Sequence, residues 1–301
     1  MTSEKIGFGV EIETHIADAS PIYRAPWHSG RGHQPSSVLP VAPTCEGRHA
    51  TDRSWRCERD RSVANTCPSG RKDCEWISPV LYGDEGIKHL HESVKRIKEV
   101  HGGKVNAGCG VHIHVDFPGD LKALSRLVYL VGCCEVGLYA ATGTKRRERG
   151  SYCKPMKAKW NYGRSPIEKT PDESMRDARS DRFHLINLTH FGSRGSRVEF
   201  RVFSGSLNAD KIVTWVRLVV GIVETVLNGK RRHSWKLKSY RMGRERIGYA
   251  TLYELLVRIG WIKLGSQTKP PTGLIGMNVG PDLRESVRIL KRLARKYDGE
   301  T

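Results

Sequence analysis

Three short segments of this 301-residue chain alternate apolar residues with ionisable ones. They are GVEIE at residues 9–13, GVHIHVD at residues 110–116 and RVEFRVF at residues 197–203. Successive side chains of a β-strand point to opposite faces of its sheet, so each segment predicts a strand with one apolar face. The opposite face would carry Glu11, Glu13, His112, His114, Asp116, Glu199 and Arg201. The chain is therefore constrained to a sheet with one packed face and one face of ionisable groups.

Carboxylates crowded on one sheet face repel one another unless a cation neutralises them. A solvated face also alternates in this way, but it usually mixes in Lys, Thr, Ser and Gln. Magnesium and manganese take oxygen ligands with an occasional histidine nitrogen. The combined pattern therefore predicts a metal-lined cavity. Each motif alone is weak, since His-x-His is more often a zinc site or a surface pair, and a lone Glu-x-Glu is usually solvated.

The remaining segments predict an α+β fold, with mostly antiparallel strands backed by helices. The first alternating segment covers residues 5–14, and residues 15–72 form an irregular stretch rich in Gly, Pro, Ser, His and Arg. Further short strands are expected at Ser54–Glu58, Cys74–Ser78 and 184–189, where Glu75 shares a face with Ile77 and the alternation is weaker. Helical spacing and end signals predict helices at 84–101, Asp120–Thr142, Asn208–Leu227, 250–260 and 281–297. We expect residues 1–228 to form the catalytic domain and residues 229–301 a basic helical extension.

The formal net charge of +19 indicates attraction to an anionic partner such as nucleic acid, a nucleotide or an acidic polymer. Basic residues cluster at Lys145–Arg149, Lys154–Lys159, Lys230–Arg246 and Arg284–Lys296. A solvated basic surface without a partner is the equally weighted alternative. The sequence shows no signal peptide, and its apolar stretches are too short and too charged for membrane spans. We therefore expect a cytoplasmic protein without a membrane partner.

Four of the eight cysteines fall in the irregular stretch, namely Cys45, Cys57, Cys67 and Cys74. Without an export signal they are expected to be thiols rather than disulfides. Their spacings match no common zinc module, and no Cys-x-x-C pair occurs. Ordinary free cysteines are the favoured interpretation, and a structural zinc site is the alternative.

An acidic turn, Asp60-Arg-Ser62, follows Trp55 and its expected strand. The position suits a residue that acts in the site. An aspartate in such a turn is equally often an acceptor for nearby backbone amides, and that alternative stays open.

Taken together, these motifs resemble the amidoligase family, a branch of the glutamine synthetase and glutamate–cysteine ligase superfamily. That family shows a G-x-E-x-E strand, a Trp-containing strand leading to D-x-S, then E-x-x-S-P, C-G-x-H-x-H-x-D, an Asn strand and E-x-R. This chain supplies Gly9-Val-Glu11-Ile-Glu13, Trp55 with Asp60-Arg-Ser62, Glu75-Trp-Ile-Ser78-Pro79, Cys109-Gly-Val-His112-Ile-His114-Val-Asp116, Asn187 and Glu199-Phe-Arg201. The order holds over residues 6–228, and the combination is specific although no single motif is.

The resemblance implies a glutamine-synthetase-like domain whose curved sheet lines a metal and ATP cavity. It implies that two magnesium or manganese ions are bound by Glu11, Glu13, Glu75, His112 and Glu199. It also implies that His114 and Arg201 hold ATP phosphates, and we expect Arg149 and Asn187 to assist them. The expected catalytic residues are Arg201, His114, Asp60 and Glu13. The implied reaction joins a carboxylate to an amine through an acyl phosphate.

Two other classes of protein stay open at this stage. A metal-dependent nuclease or phosphodiesterase would also use histidines and carboxylates around two metals. A nucleic-acid-binding protein without catalysis would explain the charge but leaves the clustered acidic residues without a purpose. A ligase whose substrate is a polyanion or a peptide combines these features. A homo-oligomer is a further expectation, since glutamine synthetase relatives often complete their sites between subunits.

Overall fold

The computed structural model describes residues 6–17, 34–35, 39–43, 53–156, 182–192, 195–228, 247–262 and 281–299. Its strands are β1 (Gly7–Ala17), β2 (Gln34–Pro35), β3 (Arg56–Glu58), β4 (Arg71–Ile77), β5 (Leu81–Tyr82), β6 (Gly110–Asp116), β7 (Ile186–Asn187) and β8 (Arg197–Ser204). Its helices are α1 (Arg61–Ala64), α2 (Gly83–Glu99), α3 (Leu121–Cys133), α4 (Glu135–Ala140), α5 (Ala209–Asn228), α6 (Ile247–Arg258) and α7 (Pro281–Asp298).

The strands form one open sheet in the order β2-β3-β4-β1-β6-β8-β7, and β5 pairs with the beginning of β1. Every pairing between these strands is antiparallel. The expected α+β class with a mostly antiparallel sheet is thereby confirmed. β1 lies in the middle of the order, so its two glutamates are flanked by strands on both sides.

The apolar residues of the alternating segments lie on the helix-covered face of the sheet. Ile12, Val111, Ile113, Val198 and Phe200 are completely buried there. Helix α5 packs across β6 and against α2 and α3. A helix that is apolar on most of its circumference needs such a central position, because only there is each side covered.

An aromatic contact fixes α5 against the sheet. The rings of Phe203 and Trp215 stack with centroids 4.8 Å apart. The Trp215 indole N–H donates to the backbone carbonyl of Ala141 at 2.8 Å. The buried indole nitrogen is therefore satisfied, as burial requires.

Polar side chains cap the beginnings of two helices, and the cap at Asn208 was expected from the sequence. Asp120 precedes α3 and accepts a hydrogen bond from the backbone N–H of Ala123 at 2.8 Å. Asn208 precedes α5 and accepts from the backbone N–H of Lys211 at 2.8 Å. Both side chains satisfy amides that the first turn of a helix leaves without partners.

Several predicted bounds differ from the structure. The helix expected over Asp120–Thr142 is two helices, because Cys134 adopts φ −111° and ψ 16° and ends α3. Glu135 then begins α4, and its carboxylate accepts from the backbone N–H of Met156 at 2.9 Å. β1 continues to Ala17, beyond the predicted end at residue 14, because its pairing with β4 extends to Arg71. The strand expected at 184–189 is reduced to Ile186–Asn187.

The two C-terminal helices pack on the same hydrophobic core as the sheet. Leu252 of α6 and Leu290 and Tyr297 of α7 belong to that core. At Gly137 of α4, the Leu252 backbone approaches so closely that a Cβ would lie 2.5 Å from its nitrogen. The domain boundary at residue 228 stays a prediction. Of the described helices, none combines the length and the apolar character that crossing a bilayer requires.

Replacing Gly137 with alanine tests the contact between α4 and α6. The added methyl group meets backbone atoms rather than a flexible side chain. The helices must therefore separate, and the free energy of unfolding should fall by about 1–3 kcal/mol. Urea denaturation measures this change. The control is Gly150→Ala, where the nearest atom is 3.4 Å away and the change should stay within about 0.5 kcal/mol. Equal stability of the two variants would contradict the contact.

Candidate metal centre

Three glutamates lie side by side across three neighbouring strands. The register pairs Glu13 of β1 with Glu75 of β4, and Glu75 with Glu58 of β3. Their exposed fractions are only 6%, 4% and 1%, respectively. Like charges this close and this shielded from water repel one another. We call Glu58, Glu75 and Glu13 the glutamate row.

Glu11 is the residue around which the ionisable groups converge. Its Oε1 lies 3.0 Å from Nε2 of His114, and its Oε2 lies 3.3 Å from Nδ1 of His112. Ligand atoms of Glu11, Glu75 and His112 lie within 4.8 Å of one another. Ligand atoms of Glu11, His114 and Glu199 do so as well. Two groups of three ligands therefore share one carboxylate.

The pairing of β6 with β8 explains how Glu199 and Arg201 enter this site. His114 pairs with Glu199, and an irregularity between Val111 and Ile113 gives β8 one extra residue. Bulges of this kind re-aim side chains beside functional sites. Arg201 lies in the bulged segment, and its Nη1 lies 2.5 Å from Oε1 of Glu199.

Glu199 is oriented from a second side as well. Asn187 of β7 donates from Nδ2 to Oε2 of Glu199 at 2.6 Å. Asn187 and Arg201 thus fix the two oxygens of one carboxylate, as partners of ligand residues commonly do. The structure therefore places Asn187 against the carboxylate of Glu199.

Glu13 lies beside these groups but outside both groups of three. Its Oε2 accepts the backbone N–H of Gly110 at 2.5 Å, and its Oε1 lies 3.7 Å from Nε2 of His112. The carboxylate is therefore anchored by one oxygen. The structure brings the five predicted metal ligands together, and it adds His114, which sequence reasoning had placed with the phosphates.

Arg147 is a site residue that sequence reasoning missed. Its Nη2 donates to the backbone carbonyl of Arg201 at 2.5 Å. Its guanidinium lies over Gly110, where a Cβ would come within 3.0 Å of both terminal nitrogens. Arg149, which was predicted instead, is exposed two residues later. Gly110 was the sequence signal for a group such as Arg147, because a residue without a side chain on the ionisable face leaves room for a side chain from elsewhere in the chain.

Glu58 is the second residue that was missed. It ends the expected strand Ser54–Glu58 and is almost completely buried in the glutamate row. The neighbouring Asp60 makes local bonds: its Oδ1 accepts the backbone amides of Ser62 and Val63 at 2.6 and 3.2 Å. Asp60 therefore accepts nearby backbone amides, as the alternative interpretation of the acidic turn expects. A catalytic role for Asp60 stays a prediction.

Neighbouring opposite charges outweigh the effect of burial on the pKa values of three site residues. Burial raises the pKa of Glu11, but the nearby His114 and His112 outweigh it, so the pKa lies well below its usual value. Burial likewise raises the pKa of Glu199, and His114 and Arg201 reverse the shift and lower it. Burial lowers the pKa of His114, yet Glu11 raises it overall. The site thus favours ionised carboxylates and a positive charge among them.

Two side chains hold the part of β1 that directly precedes Glu11. Ser78 accepts the backbone N–H of Val10 at 2.8 Å and donates to the carbonyl of Pro79 at 2.8 Å. Asp116 accepts the backbone N–H of Gly7 at 3.1 Å. The Ser-Pro element and the final aspartate of the His-x-His-x-Asp strand are therefore structural supports of the ligand strand.

A cavity of about 240 Å³ opens beside Glu11 and His114. Arg56 and Arg197 line it together with Ser78. Two guanidinium groups next to a carboxylate and a histidine suit an anionic ligand. The cavity is large enough for a carboxylate or phosphate group of a substrate.

The cysteine-rich stretch is only partly described. Cys45 lies outside the described residues, so the four-cysteine zinc site stays a prediction. A hydrogen bond from Cys74 lowers the pKa of Cys57, while burial raises the pKa of Cys74 well above its usual value. These two thiols are thus partners of one another on adjacent strands.

A comparison with known protein families matches most of the chain. Residues 4–223 match the family model described as putative amidoligase enzyme, and the chain belongs to that family. The matched range contains the residues of both ligand groups and Arg147, and it ends within α5. The family resemblance found from the sequence is thereby confirmed. No curated protein matches the chain at a significant level.

The glutamate row predicts a gain in stability for Glu75→Gln in metal-free protein. Removing the central charge relieves the repulsion between the glutamates of the row. Active sites often keep such destabilising interactions because function requires them. The expected increase in the free energy of unfolding is on the order of 1 kcal/mol in the presence of EDTA. Thermal and urea denaturation measure it. Glu99→Gln, at the exposed end of α2, should change nothing. A destabilised Glu75→Gln would contradict repulsion in the row.

Proposed function

We propose that the protein is an ATP-dependent ligase that joins a carboxylate to an amine at a site for two magnesium or manganese ions. Its family supports amide-forming ligase chemistry. The observation that carries the proposal is the pair of ligand groups that share Glu11. An antiparallel sheet with such a face is also the arrangement expected of a glutamine-synthetase-like domain.

The residues present fit two divalent cations. Each group of three offers carboxylate oxygens and one imidazole nitrogen, which are ligands that magnesium and manganese accept. Three protein ligands leave positions for water and phosphate oxygens, as magnesium sites in phosphoryl-transfer enzymes require. One ion would be held by Glu11, Glu75 and His112, and the other by Glu11, His114 and Glu199. Cations held there would neutralise charge on a transferring phosphoryl group.

The arginines of the site supply the remaining positive charge. Arg201 is held by Glu199, and the Arg201 backbone is held by Arg147. In the proposed reaction, a substrate carboxylate oxygen attacks the γ-phosphorus of ATP, and the bond to the ADP oxygen breaks. Arg201 stabilises the negative charge that the phosphoryl oxygens carry during this step. Arg56 and Arg197 hold the anionic part of the substrate in the adjoining cavity.

The second half of the reaction needs a proton acceptor. The amine nitrogen attacks the acyl carbon of the acyl phosphate, inorganic phosphate leaves, and the nitrogen gives up a proton. We assign the acceptor role to Glu13, because it lies beside both ligand groups without belonging to either. Its anchored oxygen holds it in place, and the other oxygen is directed towards His112. A buried carboxylate in such a position can take a proton from an approaching amine.

Trapping of the acyl phosphate tests this function without knowledge of the natural amine. Hydroxylamine replaces the amine, and candidate carboxylates are supplied with ATP and magnesium or manganese. We expect ADP and a hydroxamate to form together, and only with metal. Glu75→Gln and Arg201→Ala should each reduce the rate by about 100-fold or more, since both remove charge stabilisation. Glu99→Gln is the matched control and should retain the wild-type rate.

Two results would contradict the ligase. One is hydrolysis of a phosphodiester without ATP, which would favour the nuclease alternative. The other is ADP release that neither substitution changes, because the activity would then come from outside this site.

A further inference from the structure

Helix α7, the first turn of α5 and the loop after α4 form a surface on which positive charge is concentrated. The C-terminal half of α7 contributes four basic residues, α5 one and the loop three. We call these residues the basic surface: Lys145, Arg146, Arg149, Lys211, Lys291, Arg292, Arg295 and Lys296. Helices α5 and α7 contact one another, and Lys296 and Arg292 of α7 lie close enough to Lys211 of α5 to lower its pKa.

Aromatic rings, rather than carboxylates, support several of these cations. The Nζ of Lys211 lies 4.7 Å from the Trp215 ring centroid, and that of Lys145 lies 5.4 Å from the Tyr297 centroid. Arg295 lies 5.5 Å from the centroid of Tyr249. A ring holds a cation in place by its quadrupole but does not cancel its charge. The surface is therefore ordered and still positive.

Three acidic residues lie on the loop, the first turn of α5 and the C-terminal half of α7, and each already has a partner. Glu148 accepts from the Tyr297 hydroxyl at 2.6 Å. Asp298 accepts the backbone amides of Gly248 and Tyr249 at 3.0 and 2.8 Å, where α6 begins. Asp210 lies 2.9 Å from Nε2 of His91 on α2. These three carboxylates cannot balance eight cations, so the surface keeps a large excess of positive charge.

The pKa of Lys211 reflects this excess of positive charge. Burial, together with the like charges of Lys296 and Arg292, lowers its pKa to about 8. Repulsion between neighbouring cations costs free energy in the unliganded protein. An anion bound across α5 and α7 would relieve that repulsion.

We propose that the basic surface binds the phosphate backbone of nucleic acid. Arg292 and Lys296 follow one another at four-residue spacing and so form a row along α7, and Lys291 and Arg295 form a second row beside it. Repeated cations along a rigid helix suit a polymer with repeated phosphates. The supporting rings lie beneath the cations. We therefore expect binding to contact the phosphate backbone of the nucleic acid and to be independent of base sequence.

The basic surface and the metal centre share one loop. Arg147 contacts Gly110 and Arg201 in the site, whereas Lys145 and Arg149 on either side of it belong to the basic surface. Nucleic acid bound there would lie close to the ligand strands. The assignment does not rest on the ligase chemistry, because it depends only on the charges and contacts of the surface.

Binding of labelled DNA tests the proposal with a matched pair of variants. One variant carries Arg292→Gln, Arg295→Gln and Lys296→Gln, and the control carries Lys88→Gln, Lys95→Gln and Lys98→Gln on α2. All six side chains are exposed, and each variant loses three positive charges. Fluorescence anisotropy is measured with single-stranded and duplex 20-mers between 50 and 200 mM salt, in EDTA and without ATP.

We expect the α7 variant to bind at least tenfold more weakly than wild type, and the α2 variant to stay within threefold. A plot of the logarithm of the association constant against the logarithm of the salt concentration has a negative slope. This slope should be less negative by about 2 for the α7 variant, since each lost phosphate contact removes about 0.7–0.9 from its magnitude. Glu75→Gln should bind DNA as wild type does, which separates this result from failure of the ligase proposal.

Three outcomes would overturn the proposal. Equal losses in the two triple variants would mean that net charge alone attracts DNA. Salt-independent binding, or none, would exclude phosphate contacts. Polyglutamate that displaces the labelled DNA at equal charge concentration would assign the surface to an acidic polypeptide instead.

Discussion

Repulsion between the buried glutamates at the centre of the sheet determines which charges must surround them. Glu13 and Glu75 are paired across adjacent strands, with Glu58 next in line. A domain of marginal stability needs compensation for such repulsion. His112, His114 and Arg201 provide part of it in the protein alone, and divalent cations would complete it.

The packed half of the molecule makes this arrangement rigid. The apolar residues of the same strands face α5, whose burial fixes the register of the whole sheet. A one-residue slip would turn the carboxylates into the core, so the hydrophobic face specifies the position of every ligand. Ser78 and Asp116 then hold the backbone of β1 just before Glu11. Stability and site geometry thus come from opposite faces of the same strands.

Much of this was predictable from sequence because the strand period is short and local. Alternation in residues 9–13, 110–116 and 197–203 placed six of the residues that converge in the site. The helix cap at Asn208 was an equally local signal. Glu58 and Arg147 could not be found in this way, since each reaches the site through pairing or loop packing between distant parts of the chain. The end of α3 at Cys134 was missed for a different reason, because the apolar pattern continues through it.

We propose that two divalent cations bind on the ionisable face and share Glu11. The most direct measurement is a crystal structure of the protein soaked in manganese, with anomalous scattering recorded at the manganese edge. Two anomalous peaks are expected, one near Glu75 and His112 and one near His114 and Glu199, with the Glu11 carboxylate between them. A single peak away from Glu11, or an ionisable face without manganese in a crystal that binds it elsewhere, would contradict the two-metal site.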